Sequence, residues 1–306
     1  MRPSSTATRV LAHISPHPDD EALGSPGVLL TLQRTGWRVV NFVVTMGRPE
    51  HRERRSREAV CAARTAGFEL RTPREPIGLS SADDLSLGFY RVRSEVRSLL
   101  DELRPAIVVA PSPHDGHHGH EMVGRAVLSA LRDSEVRPRL WLWGLWADLP
   151  FPTIYAPFDD AIMERVQQTI RCYTGEVDRN DYATLLFSRA RTRAILGVER
   201  VFGYGQERVR CAPYADLLTE CLPEQGGWLL GSARLLKPPS EPAACATEQD
   251  IGWWLESTSP HDWRRRLGRV RVPGLDAPPG VPAVAPSAER QPSTGVGGPE
   301  GRVRSV

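Results

Sequence analysis

The chain has 306 residues, 40% of them hydrophobic and 25% charged, which is enough to bury a sizeable core as one large domain or two smaller ones. Its 39 basic and 37 acidic residues nearly cancel, so composition excludes the one-signed surface that nucleic acid or an anionic membrane would select. No apolar run approaches the roughly twenty residues of a membrane span, and the stretch from Val10 to Ile14 is too short for a signal-peptide core, so a soluble, cytoplasmic protein is expected.

Almost all the positive charge is arginine, Lys237 being the sole lysine, a bias typical of a high-GC bacterial genome. Five cysteines, at 61, 172, 211, 221 and 245, show no CxxC spacing. They suggest neither a disulfide framework nor a thiolate metal site, which again points to a reducing compartment.

In chain order, Arg9 to Ile14 reads as a short buried strand stopped by Pro16 and Pro18, and Glu21 to Arg34 as a helix with Leu23, Val28, Leu29 and Leu32 at helical spacing. Trp37 to Thr45 is a β-branched and aromatic run of the kind covered on both faces. Arg52 to Ala66 reads as a helix closed by Gly67, and Tyr90 to Leu103 as another stopped by Pro105. The strand Ala106 to Ala110 runs into a histidine-rich loop, followed by a helix at Glu121 to Leu131 and a strand at Leu140 to Leu145. The alternation predicts an α/β, Rossmann-like three-layer fold with a mostly parallel sheet, whose ligand crevice lies beyond the carboxyl ends of the strands.

After residue 150 the pattern is less regular, with helices predicted at Asp160 to Cys172 and Tyr182 to Leu196 and a tryptophan-rich remainder. The expected organisation is one domain over 1–270, with its core at 9–145 and a pocket-completing region at 146–270. A tail over 271–306 is expected to be disordered, because seven prolines and six glycines between Pro273 and Val306 leave little apolar surface to offset the entropy of ordering.

Two polar clusters sit directly after strands. Ser15-Pro16-His17-Pro18-Asp19-Asp20-Glu21 places an imidazole and three carboxylates on a proline-stiffened loop. Helix capping would account for the acids but not for a histidine between two prolines. Pro111-Ser112-Pro113-His114-Asp115-Gly116-His117-His118-Gly119-His120-Glu121 carries four histidines in seven residues. A histidine-rich loop alone is an ambiguous signal. Together the clusters supply the two histidines and one carboxylate that leave an open water position on a catalytic zinc ion.

The pair resembles the motifs of the PIG-L or LmbE-like de-N-acetylases, with His17-Pro18-Asp19-Asp20-Glu21 as the first motif and His117 and His120, three apart, as the second. The resemblance implies that His17, Asp20 and His120 bind Zn2+, with Fe2+ suited to the same ligands. It implies Asp19 as general base and His117 as the group facing the carbonyl or oxyanion. It also implies Arg55 and Asp84 as substrate contacts, although Arg52, Arg54, Arg55 and Arg57 offer several registers. Many members have aspartate before the last histidine, where this chain has Gly119; Asp115 or Glu121 could take over its orienting role.

The activity so implied is metal-assisted removal of an N-acetyl group from an N-acetylglucosaminyl-type amino sugar in bacterial secondary-metabolite or thiol-cofactor biosynthesis. The partner is then a small molecule, with no nucleic acid or membrane involved. The alternatives are an amidase acting on a sugar-thiol conjugate and a carbohydrate-binding protein with a structural metal. Trp141, Trp143 and Trp146 could stack on a sugar, but a tryptophan-rich strand is more often core. The run from Tyr173 to Tyr182 is expected near the site.

Overall fold

A computed structural model describes residues 9–79, 82–205, 212–237 and 246–257, without the side chains of 82–86. All lie in the first of two compact units, Met1–Arg266; the second, Leu267–Val306, and with it the 271–306 tail, falls outside the described residues.

The order of elements begins β1 (Val10–Ser15), α1 (Asp20–Leu23), α2 (Pro26–Arg34), β2 (Arg38–Val43), α3 (Arg52–Ala66), β3 (Glu69–Arg71), α4 (Ala82–Leu103), β4 (Ile107–Pro111), α5 (His118–Arg132) and β5 (Arg139–Trp143). In the sheet these strands lie in the order β3-β2-β1-β4-β5, all parallel. That is the doubly wound arrangement, in which the chain leaves β1 to one side for β2 and β3 and returns to the other side for β4. The crevice therefore opens between the carboxyl ends of β1 and β4, the two strands that precede the polar clusters.

Side chains alternate through this sheet as strand geometry requires. Leu11, Val39, Ile107, Val109, Trp141 and Trp143 join one core with α2, α3 and α6 (Asp160–Ile170). Ala12, Val40, Phe42, Val108, Ala110, Leu140 and Leu142 join a second core with α4 and α5. Trp141 and Trp143 are fully buried, which settles them as core.

The later elements are β6 (Ile154–Phe158), α7 (Thr174–Val177), α8 (Tyr182–Phe202), β7 (Tyr214–Glu224), β8 (Gly227–Gly231), β9 (Arg234–Leu235), β10 (Ala246–Asp250) and α9 (Gly252–Leu255). The strand β7 pairs antiparallel with β5, β6 and β8, extending the parallel half with an antiparallel flank. Glu220 fixes that junction, accepting bonds from Arg139 (2.6 Å), Trp141 Nε1 (2.9 Å) and Arg234 (2.7 Å).

Several expectations need correction. The helix expected over Glu21 to Arg34 is two, because Gly24 packs against the Trp143 ring, leaving no room for a Cβ, and Pro26 restarts the chain as the first residue of α2. The helix after β4 begins inside the histidine cluster, at His118, not at Glu121. The cysteines are also not all free: Cys61 on α3 and Cys172 beyond α6 are joined in a disulfide, with Cα atoms 5.8 Å apart. Among the described residues no helix is long and apolar enough to cross a membrane.

Candidate metal centre and active site

The loop after β1 is shaped by its own acids. Asp20 Oδ2 accepts the backbone N–H of His17 (2.8 Å), closing the turn around Pro18. Asp19 holds φ 107°, left-handed backbone that a non-glycine residue adopts at a cost of about 1–3 kcal/mol. Strain of this kind persists where the surrounding structure over-determines a position, and here it turns a buried carboxylate into the crevice.

Across the crevice, His117 is the N-cap residue of α5 and His120 lies in its first turn. Asp20 reaches both loops: Oδ1 is 3.3 Å from His120 Nε2 and Oδ2 is 3.4 Å from His17 Nδ1. Ring nitrogens of His17, His117 and His120 lie within 4.8 Å of one another. Two ligands bound tetrahedrally to one ion at about 2.0–2.1 Å stand roughly 3.3–3.4 Å apart, so Asp20 and His120 already hold the spacing that a shared cation requires.

The electrostatics fit a cation as well. His120 is 2% exposed, and burial works against its charge, yet Asp20 and Asp115 together push its pKa up to about 10. Asp20 is held well below the ordinary carboxylate range: burial opposes ionisation, and His120 and His17 outweigh it. The pair thus demands positive charge at this point, which a proton or a divalent ion satisfies. Asp19 is pushed well above the ordinary range by burial and by its neighbour Asp20, with Arg55 opposing. His117 falls to about 3 through burial and the neighbouring His120 and His17, so it is a neutral imidazole at pH 7, and its Nδ1 is buried without a hydrogen-bond partner.

His118 and His51 also line the cavity, but His114 and His118 are engaged by backbone carbonyls. His114 packs on Trp254 and bonds its carbonyl (2.5 Å), and His118 Nε2 meets the Leu79 carbonyl at 3.0 Å. The three-residue spacing of His117 and His120 is therefore the register that faces His17. Asp115 takes the orienting role: Oδ2 bonds His120 Nδ1 (2.8 Å), while Oδ1 accepts from the backbone N–H groups of Leu145 (2.5 Å) and Trp146 (3.1 Å). It orients His120, not His117. A Cβ at Gly119 would stand 3.2 Å from the His17 ring and 3.4 Å from His117, a close fit that the rings would have to yield to by a few tenths of an ångström. Glu121 instead accepts from the Gly116 N–H (2.8 Å).

His17, Asp19, Asp20, His117 and His120 line one pocket of about 740 Å³, within the range of small-molecule sites. Of the arginines on α3, Arg54 and Arg55 line it, while Arg57 pairs with Glu53 on the exposed side. Arg55 donates to the Pro18 carbonyl (3.3 Å) and pairs with Glu176 (3.4 Å). Asp84 falls near the start of α4, but its side chain lies outside the described residues. Glu21, although part of the first motif, does not line the pocket; it accepts from the buried Tyr173 hydroxyl, and burial raises its pKa to about 7.

Sequence reasoning expects the run from Tyr173 to Tyr182 near the site without naming its contacts and offers Trp146 as a stacking surface; it misses His13 and Asn41. Glu176, Arg179 and Tyr182 complete the pocket wall, held because Glu58 accepts from Thr174 (2.8 Å) and the Gly175 N–H (3.1 Å) and so ties α7 to α3. Trp146, half exposed, stacks 6.1 Å from His117 and is the tryptophan available to a ligand. Within the buried sheet, His13 bonds Asn41 Oδ1 (2.9 Å) and Ser15 (3.0 Å). Alternating polarity at His13 and Ser15 in an otherwise apolar strand was the available signal.

A family model described as PIG-L, GlcNAc-PI de-N-acetylase, matches residues 12–131, which contain both motifs. No curated protein sequence matches the chain. Among solved structures, the zinc-inhibited form of the teicoplanin deacetylase Orf2 is 18% identical, with 69% of this chain and 97% of that one covered at a TM-score of 0.54. N,N'-diacetylchitobiose deacetylase from Pyrococcus horikoshii is 17% identical, with 70% and 84% covered at 0.51. The 4-carboxy-2-hydroxymuconate hydratase GalB from Pseudomonas putida KT2440 is 15% identical, with 71% and 98% covered at 0.54. These likenesses establish the fold, and they span more than one reaction.

Proposed function

Since residues 12–131 carry a PIG-L-family domain, we propose that this protein is a metal-dependent hydrolase that removes the acetyl group from an N-acetylglucosaminyl-type amino sugar. The observation that carries the reading is the convergence of His17, Asp20 and His120 beside a strained, non-bridging Asp19 in an open pocket. A purely structural metal site would have no use for that free carboxylate. The hydratase among the structural relatives means that the fold alone does not choose the reaction, so the motif residues and the pocket must.

His17, Asp20 and His120 would hold the ion, zinc or iron, with Asp115 fixing the His120 ring. A bound ion would supply Lewis acidity, which would make a water nucleophilic near neutral pH and polarise the amide carbonyl. Asp19 takes the proton from that water; its raised pKa suits a base that must hold the proton and then give it up. His117, neutral, offers a ring N–H to the oxygen that becomes negative as the tetrahedral carbon forms. In this reading the departing amine receives the proton that Asp19 has taken up.

Teicoplanin and N,N'-diacetylchitobiose are what two structural relatives are named for, and the pocket volume and Trp146 suit a sugar joined to a further group. The test is acetate release from N-acetylglucosamine and its simple glycosides. Release that a chelator abolishes and added Zn2+ or Fe2+ restores supports the reading. Fully metal-loaded protein that releases acetate from none of them, yet cleaves an amide in a sugar-thiol conjugate, would replace it with the amidase alternative.

A further inference from the structure

Arg193 of α8 is buried, and its guanidinium is shared among three partners. Nη1 donates to the Gly24 carbonyl (3.0 Å) and to Asp216 Oδ1 (3.3 Å), and Nη2 donates to the Gly144 carbonyl (2.6 Å). Asp216, on β7, is itself buried, and its second oxygen accepts the Val28 N–H of α2 (2.9 Å). None of these groups lines the cavity.

The two carbonyls belong to the two halves of the metal centre. Gly24 closes α1, its N–H bonded to the carbonyl of Asp20 (2.8 Å), whose carboxylate faces both His17 and His120. Gly144 follows β5 and opens the turn whose Leu145 and Trp146 N–H groups hold Asp115, the partner of His120. That turn has no slack at its start, since a Cβ on Gly144 would stand 2.2 Å from the Ala147 carbonyl oxygen. Arg189 shares the Gly144 carbonyl (2.9 Å) but turns to Asp148 of the same loop (4.0 Å), so the link across to α1 is made by Arg193. A planar guanidinium keeps its nitrogens at a fixed spacing, which fixes the carbonyls bonded to Nη1 and Nη2 relative to each other. Asp20 and His120, 3.3 Å apart, are each carried from one of those ends.

We propose that Arg193 is a positioning residue for the metal centre: by bridging the Gly24 and Gly144 carbonyls it sets the spacing of Asp20 and His120, while Asp216 holds the guanidinium in place. The proposal rests on the reading of His17, Asp20 and His120 as metal ligands. Such a ligand set has to be held to within about 0.5 Å by its supporting bonds, so loosening the bridge reads out as weaker metal binding. Two variants separate this role from stability alone. Arg193→Lys keeps a cation for Asp216 but offers one nitrogen where the bridge uses two. Arg193→Met combined with Asp216→Asn removes the bridge without stranding a buried carboxylate. Arg234→Met is the control, because Arg234 on β9 is an equally buried arginine, paired with Glu220 (2.7 Å).

Zn2+ affinity is measured by competition with a chromophoric chelator on protein whose folding circular dichroism confirms, and ligand geometry by the visible absorption of the Co2+-loaded protein. Both Arg193 variants should lose at least about tenfold in Zn2+ affinity, as residues that support metal ligands do, and should alter the Co2+ bands. Arg234→Met, although less stable, should keep both. Wild-type affinity and an unchanged Co2+ spectrum in the two Arg193 variants would overturn the bridge. An equal loss in Arg234→Met would overturn it too, by making the effect one of general stability. Wild-type protein that takes up no Zn2+ would overturn the metal centre itself, and the bridge with it.

Discussion

Replacing Asp115 with asparagine tests how the centre is held. The side chain is fully buried and serves two needs at once, accepting from His120 Nδ1 with one oxygen and from the Leu145 and Trp146 N–H groups with the other. Both needs call for acceptors, and an asparagine amide has only one acceptor atom. If that oxygen stays with the loop, the amide nitrogen faces His120 and favours the ring tautomer with its N–H on Nε2, the atom nearest Asp20. Loss of such a supporting carboxylate costs about 10–100-fold in metal affinity, roughly 1.4–2.7 kcal/mol. Asp115→Ala goes further, leaving the buried N–H groups without any acceptor at about 1–3 kcal/mol each. Competition against a chromophoric chelator measures the first effect and urea denaturation of the metal-free protein the second. Wild-type metal affinity in Asp115→Asn would refute the assignment of Asp115 as the residue that orients His120.

Two further outcomes follow from buried charge. Burial depresses the pKa of His13 to about 4 against an ordinary 6.5, so protons bind preferentially to the unfolded chain. Its contribution is therefore complete above about pH 6.5 and is lost as pH falls toward 4, roughly 3 kcal/mol in all; urea midpoints should fall less between pH 7 and pH 5 in His13→Asn than in wild type. Arg193 on α8 donates to the carbonyls of Gly24 (3.0 Å) and Gly144 (2.6 Å) and pairs with buried Asp216 (3.3 Å). Arg193→Met should destabilise by about 3–5 kcal/mol because it strands a buried carboxylate, and adding Asp216→Asn should recover part of that loss.

The parallel half of the fold was legible because both of its periodicities are plain: continuous apolar runs such as Val39 to Val44 mark strands covered on two faces, and α3 matches its predicted bounds from Arg52 to Gly67. The residues proposed to hold the metal stood out for a similar reason, each set being local in sequence and placed directly after a strand. What escaped was long-range. The pairing of β7 with β5 and β6 joins segments far apart in the chain, and the docking of α7 through Glu58 joins positions 116 and 117 residues apart. Nothing in the spacing of Cys61 and Cys172, 111 residues apart, marks them as partners. Asp115 stood among the candidates for the orienting role, but only the turn of the loop decides which imidazole it reaches.

The central claim is that Asp20 holds the metal while its neighbour Asp19 works on the water. Bound metal and acetate release, measured side by side on wild type, Asp19→Asn and Asp20→Asn, test it most directly. Asp19→Asn should retain its metal and lose about 10²–10⁴-fold in turnover, as removal of a general base does, whereas Asp20→Asn should lose the metal itself. Wild-type turnover in Asp19→Asn, or full metal occupancy in Asp20→Asn, would contradict this division of roles.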